Sequence, residues 1–147
     1  MSAGAPTRFN IQLGGELTWN VEPLLHEIRH ALQELADTGS TGIIDLRSIP
    51  LAPGEEDKII ATLGQGEVCA RVDALGPSEV TETRYAGVWL VTHYNEDEEI
   101  IGRFIEITPM PEILRSQAED IRHACSQLED YLERIRQGPA TSKETQS

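Results

Sequence analysis

The sequence predicts an α+β fold, an antiparallel β-meander with helices packed on it. Three observations carry that expectation. Between residues 64 and 114 nearly all the strand-like sequence runs in series, with connections too short for a crossover helix, so neighbouring strands pair antiparallel. Within that stretch, residues 67–75 alternate Val68, Ala70, Val72 and Ala74 against Cys69, Arg71, Asp73 and Leu75, the period of a half-buried strand. On either side, apolar residues recur at helical spacing.

Taken in order, the chain opens with a polar arm over residues 1–17, followed by a single domain over 18–137. A first helix is expected over 21–37, with Asn20 as N-cap, Pro23 tolerated in the first turn and Gly39 as the stop. Val21, Leu24, Leu25, Ile28, Ala31, Leu32 and Leu35 fall in one arc of about 120° at helical spacing, the mark of an amphipathic helix lying on a core. Gly42-Ile43-Ile44-Asp45-Leu46 is a short strand candidate, and Pro50 and Pro53 mark a loop after it. Glu55, Glu56 and Asp57 suit the start of a brief helix, because acids complement the positive end of the helix dipole. That helix carries Ile59, Ile60 and Leu63 inward and stops at Gly64.

The 67–75 strand turns at Gly76-Pro77-Ser78 into a long strand, in which Ala86-Gly87 marks a bulge or kink. Val88, Trp89, Leu90 and Val91 are apolar on both faces, so this strand is expected at the centre of the sheet, with Trp89 in the core and its indole N–H needing a partner. Asn95 and the acidic run 96–99 close a hairpin into a strand over 100–107. Pro109 and Pro111 end the sheet, and a last helix is expected over 111–137. Its apolar positions Leu114, Ala118, Ile121, Cys125, Leu128, Leu132 and Ile135 follow an unbroken 4-3-4-3-4-3 spacing, a seam for packing on the sheet or for pairing two copies as a homodimer. Gly138-Pro139 stops this helix, and a disordered tail is expected over 138–147.

Charge and cysteine usage narrow the function. A net charge of −13, spread evenly along the 147 residues, repels nucleic acid and anionic membrane surfaces, and no basic stripe exists for a phosphate backbone to follow. No apolar run approaches the ~18 residues of a membrane span, and the opening residues lack the apolar core of a signal peptide. Cys69 and Cys125 stand without a CxxC pairing, which suits buried or half-buried thiols in a reducing cytoplasm.

One motif suggests catalysis, and its context argues against it. His26-Glu27-Ile28-Arg29-His30 spells HExxH, which in zinc hydrolases places two imidazoles one helical turn apart beside a glutamate that activates water. Here the helical wheel sets His26 and His30 in the polar arc opposite Ile28, Arg29 puts a charge inside the motif, and no third ligand is evident. The motif reads as two exposed histidines, and no resident metal or other cofactor is expected. Cys69 with His93 lacks the context of a thiol nucleophile, and the acidic run lacks the glycine and spacing of a calcium loop. Gly64-x-Gly66 follows a helix and precedes a strand, the wrong order for a phosphate-binding turn.

Several short motifs, in order, resemble the C-terminal domain of the HupH/HyaF family of hydrogenase expression proteins. They are Gly64-x-Gly66-Glu67-Val68, Glu82-Thr83, Gly87-Val88-Trp89, and Ile105-Glu106-Ile107 leading to Pro111-Glu112-Ile113, and the resemblance spans roughly residues 15–137. It implies a non-enzymatic, chaperone-like accessory role in maturing an uptake [NiFe]-hydrogenase. The implied partners are the iron–sulfur small-subunit precursor, before export, and other maturation proteins. The family supplies no catalytic residue. A binding surface is then expected on the sheet, through an open edge and a mixed face carrying Arg71, Asp73 and Arg84, with Trp89 and Glu106 as further contact candidates. The acidic field would attract a basic client segment such as a twin-arginine export signal.

Overall fold

The structure, a computed structural model, describes residues 20–138. The polar arm over 1–17 and the tail beyond Gly138 lie outside the described residues. The chain divides into two compact units, one ending at Pro111 and the other beginning at Glu112.

The first unit opens with helix α1 (Val21–Thr38) and strand β1 (Gly42–Asp45), then helix α2 (Glu55–Leu63) and strands β2 (Cys69–Val72), β3 (Ser78–Glu82), β4 (Val88–Tyr94) and β5 (Ile100–Ile107). The strands form one sheet in the order β1-β5-β4-β3-β2, and every neighbouring pair is antiparallel. The short connections dictate the β2-to-β5 meander. β1 is separated from β5 by the rest of the unit, and it returns to β5's free edge. Strands β1 and β2 are the two edges of the sheet.

Register explains which faces are buried. Ile44, Ile105 and Leu90 lie abreast across β1, β5 and β4, and Val88 lies abreast of Ile107. This face joins Val21, Leu24 and Ile28 of α1, Ile59 and Leu63 of α2, and Leu46 in one buried cluster. On the opposite face Val80, Val91 and Phe104 are aligned, and Val80 and Val91 are buried as well. β4 is thus buried on both faces, as its unbroken apolar run predicts.

Two sequence expectations for this unit change. The long strand kinked at Ala86-Gly87 is two strands joined by a turn over 83–87. The buried Thr83 hydroxyl holds that turn by donating to the Val88 carbonyl at 2.8 Å and accepting from the Tyr85 N–H at 3.1 Å. Gly87 has φ +90°, the backbone angle that favours glycine, and a Cβ there would press to within 3.1 Å of Leu32 Cδ1. Asn20 does not cap α1 with its side chain; its carbonyl accepts from the Leu24 N–H, while its amide group turns to Glu55 and to the Pro50 carbonyl.

Glu55 is the second consequence of that turn. Its side chain is completely buried. Oε1 accepts from the Ala52 N–H at 2.7 Å and from Asn20 Nδ2 at 3.3 Å, and Oε2 accepts from the Asn20 N–H at 3.4 Å. One carboxylate therefore joins the start of α1, the 50–54 loop and the first turn of α2. Burial pushes its pKa up, but the hydrogen bonds from Ala52 and Asn20 outweigh burial and hold it below the ordinary 4.5. Glu55 thus adds directed hydrogen bonds to the dipole complementarity expected of the acids at the head of α2.

Among its described residues the second unit holds the 3₁₀ turn Glu112–Leu114 and helix α3 (Ala118–Gln137). The helix begins seven residues later than the sequence suggests, because Gln117 is extended (φ −76°, ψ 148°) and Leu114 lies in the preceding turn. The seam within the helix is therefore Ala118, Ile121, Cys125, Leu128, Leu132 and Ile135. No residue of α3 is buried, and Ile121, Leu128, Leu132 and Ile135 are each more than half exposed.

Glu55→Gln is expected to lower stability near neutral pH by about 1–3 kcal/mol, since the charged acceptor is lost and a buried N–H is left poorly matched. A carboxyl held below 4.5 contributes stability above that pH and loses it as the pH falls. Urea unfolding should thus show a wild-type advantage over Glu55→Gln that is steady near neutral pH and shrinks as the pH falls from about 5 to about 3. A gap that stays constant over that range would contradict the assigned role.

Candidate interaction surface

The HExxH residues can now be placed. Ile28 is buried, whereas His26, Glu27 and His30 are exposed on the outer face of α1. His26 Nε2 lies 3.6 Å from Glu22 Oε2, an i,i+4 surface pair. Among the described residues no group of three His, Cys, Asp or Glu side chains converges as a metal site. The geometry of α1 is that of a solvated helix face.

The cysteine and histidine candidates also separate. Cys69 and Thr81 are cross-strand partners, as are Thr81 and Leu90, so the Cys69 side chain shares a face with Leu90. His93, an odd number of residues along β4 from Leu90, points to the other face. There its Nδ1 is 2.7 Å from Ser78 Oγ, and its ring packs edge-on against Phe104. The Ser78–His93 hydrogen bond was not foreseen, because it depends on the β3–β4 register. Both cysteines are exposed rather than buried or half-buried: β2 is an edge strand, and Cys125 sits on the exposed seam of α3.

The glycines flanking Gln65 have a structural use. A Cβ at Gly66 would come within 2.6 Å of the Thr83 carbonyl oxygen, and its N–H donates to the Glu82 carbonyl at 2.7 Å. Gly66 thus lets the chain approach the end of β3 closely as it enters β2. The acidic run is a hairpin turn, as expected: Asn95 Oδ1 accepts from the Asp97 and Glu99 N–H groups at 2.8 and 2.9 Å, and Glu98 takes φ +64°.

The five contact candidates fall in three places. Arg71 is exposed on edge strand β2, and its Nε donates to Asp73 Oδ1 at 2.8 Å. That hydrogen bond, and then the Asp73 charge, hold the Arg71 guanidinium above its ordinary pKa. Arg84 is exposed in the β3–β4 turn, with its backbone N–H donating to the Leu63 carbonyl and its guanidinium alongside Gly64. Trp89 and half-buried Glu106 are cross-strand partners on the face opposite Leu90. Trp89 is 6% exposed, and its indole N–H donates to the Thr108 carbonyl at 3.0 Å. The structure brings Arg71 to Asp73 and Trp89 to Glu106, and keeps these pairs on opposite faces of the sheet.

Sequence reasoning also missed a surface cavity of about 270 Å³ between the helices and the β3–β4 turn. Leu25, Leu32, Leu63 and Val88 form its apolar wall, with Arg29 and Tyr85 also lining it. The available signal was the width of the α1 stripe: of its seven apolar positions only Val21, Leu24 and Ile28 are buried.

The comparisons with known proteins settle the family. Residues 18–135 match the family described as HupH hydrogenase expression protein, C-terminal conserved region. The chain belongs to this family. It is 30% identical to hydrogenase expression/formation protein HupH of Rhodobacter capsulatus, over 67% of this chain and 36% of that protein. It is 26% identical to hydrogenase expression/formation protein HoxQ of Azotobacter vinelandii, over 79% of this chain and 42% of that protein. The match thus spans about two fifths of the length of these relatives. Among solved structures, the hydrogenase expression protein HupH from Thiobacillus denitrificans superposes with a TM-score of 0.75 at 36% identity, covering 78% of this chain and 96% of that one. The α+β architecture is that of the family.

If the histidine motif is a surface feature, His26→Ala and His30→Ala should leave metal content and melting temperature unchanged. Elemental analysis of the purified chain checks this; about one zinc per chain, lost in either variant, would restore the metallohydrolase reading.

Proposed function

We propose that this chain acts in the cytoplasm as a non-enzymatic accessory factor in the maturation of a [NiFe]-hydrogenase, and that it binds the iron–sulfur small-subunit precursor before export. The observation that carries this reading is the family match over 18–135, joined by relatives named as hydrogenase expression/formation proteins. Among the described residues no helix is long and apolar enough to cross a membrane, which is compatible with work on a client still in the cytoplasm.

The architecture offers a physical route to client binding. Edge strands expose backbone N–H and C=O groups on one side, a template on which an extended client segment can add as a further strand. β2 is such an edge, and it presents Arg71 beside Asp73. A net charge of −13 favours encounter with a basic client segment, in keeping with a twin-arginine export signal. Arg71, Asp73 and Arg84 are the positions we assign to this contact, and Glu106, on β5 and the opposite face, to a separate one. Trp89, also a contact candidate, contributes from within the sheet by holding the strand that carries Glu106 in register.

The test is co-purification of the tagged chain with the small-subunit precursor. A stoichiometric complex is expected, with affinity that drops roughly tenfold or more between about 0.05 and 0.5 M salt, as screening removes the long-range attraction. Recovery of the chain without the precursor would contradict the client assignment. A complex whose affinity ignores salt would remove electrostatics from the account and leave strand addition to carry it.

A further inference from the structure

The seam of α3 is an apolar stripe on a helix with no buried residue, and its spacing is that of a two-stranded coiled coil. We propose that α3 pairs with α3 of a second copy of this chain, and that the two helices run antiparallel. The direction follows from what each arrangement places opposite what.

In a parallel pair each seam residue meets its own copy. Ala118 would face Ala118 and leave a void, Cys125 would face Cys125, and the wide positions Ile121, Leu128, Leu132 and Ile135 would meet in kind. The flanking positions would oppose Ala124 to Glu129 and Tyr131 to Arg136, and no ion pair forms.

An antiparallel pair centred between Ser126 and Gln127 places small against large in two of its three kinds of layer. Cys125 then faces Leu128 of the second copy, Ile121 faces Leu132, and Ala118 faces Ile135, each layer occurring twice by the two-fold symmetry. One flank sets Arg122 against Glu129 of the second copy, again twice. The other sets Tyr131, about half exposed in the single chain, over Ala124. Size and charge are both complementary in this register and in neither respect in the parallel one. The occupant is therefore a second α3, and the proposal does not depend on the hydrogenase reading.

Sedimentation of the full chain over a concentration series tests it, with an expected mass of twice 16.3 kDa at the upper end. Leu128→Glu should yield a monomer with unchanged circular dichroism from the sheet. Arg122→Glu and Glu129→Arg, each turning two attractions into two repulsions, should each weaken the dimer by roughly tenfold. Combined, Arg122→Glu with Glu129→Arg should restore it. A chain that stays monomeric at every concentration overturns the proposal, as does a dimer indifferent to Leu128→Glu. A dimer in which the two charge changes add without rescue overturns the antiparallel register.

Discussion

The helical layer depends on one buried carboxylate. α1 and α2 are joined through strand β1, a 3₁₀ turn over Leu46–Ser48 and a proline-containing loop. Glu55 fixes their relative position, because three N–H donors from two separate segments converge on its two oxygens. A buried charge is tolerated only when its hydrogen-bonding capacity is met, so the site discriminates strongly against arrangements in which Asn20 or Ala52 moves away. With the helices held, Ile28, Ile59 and Leu63 close over Ile105 and Ile107, and the sheet gains a dry face.

That face in turn defines what remains available. β4 and β5 are spent in the core, and Trp89 is committed to it through its bond to Thr108. The edges β1 and β2 carry the sheet's uncommitted pairing capacity among the described residues, and the helix of the second unit carries its exposed seam. The arrangement explains why the chain can have an ordinary core yet expose Ile43, Ile101 and the α3 aliphatics to solvent.

Much of this was legible from sequence. The 3.6 period of α1, the doubly apolar Val88–Val91 run, and the Asn95 hairpin were readable because each is a local pattern with one physical solution. The return of β1 to β5 was not readable, since it is a long-range pairing with no local mark. The turn at 83–87 was mistaken for a kink within one strand, because Gly87 signals unusual backbone in either case and the deciding group is the hydroxyl of Thr83. Glu55 looked like one of three interchangeable acids; only the placement of Asn20 distinguishes it from Glu56 and Asp57. For the candidate surface, residue type identified Arg71 and Asp73 as neighbours, but which face holds Trp89 and Glu106 follows from register alone. For the HExxH motif the helical wheel set His26 and His30 in the polar arc, and both are exposed on α1.

The central proposal is that this chain serves the maturation of a hydrogenase small subunit. The most direct measurement is uptake-hydrogenase activity, with the processing state of the small subunit, in cells from which residues 18–137 have been deleted in frame. The account predicts loss of most activity, accumulation of unprocessed small subunit, and recovery when the intact protein is supplied from a second gene copy. Full activity and normal processing in the deletion strain would contradict it.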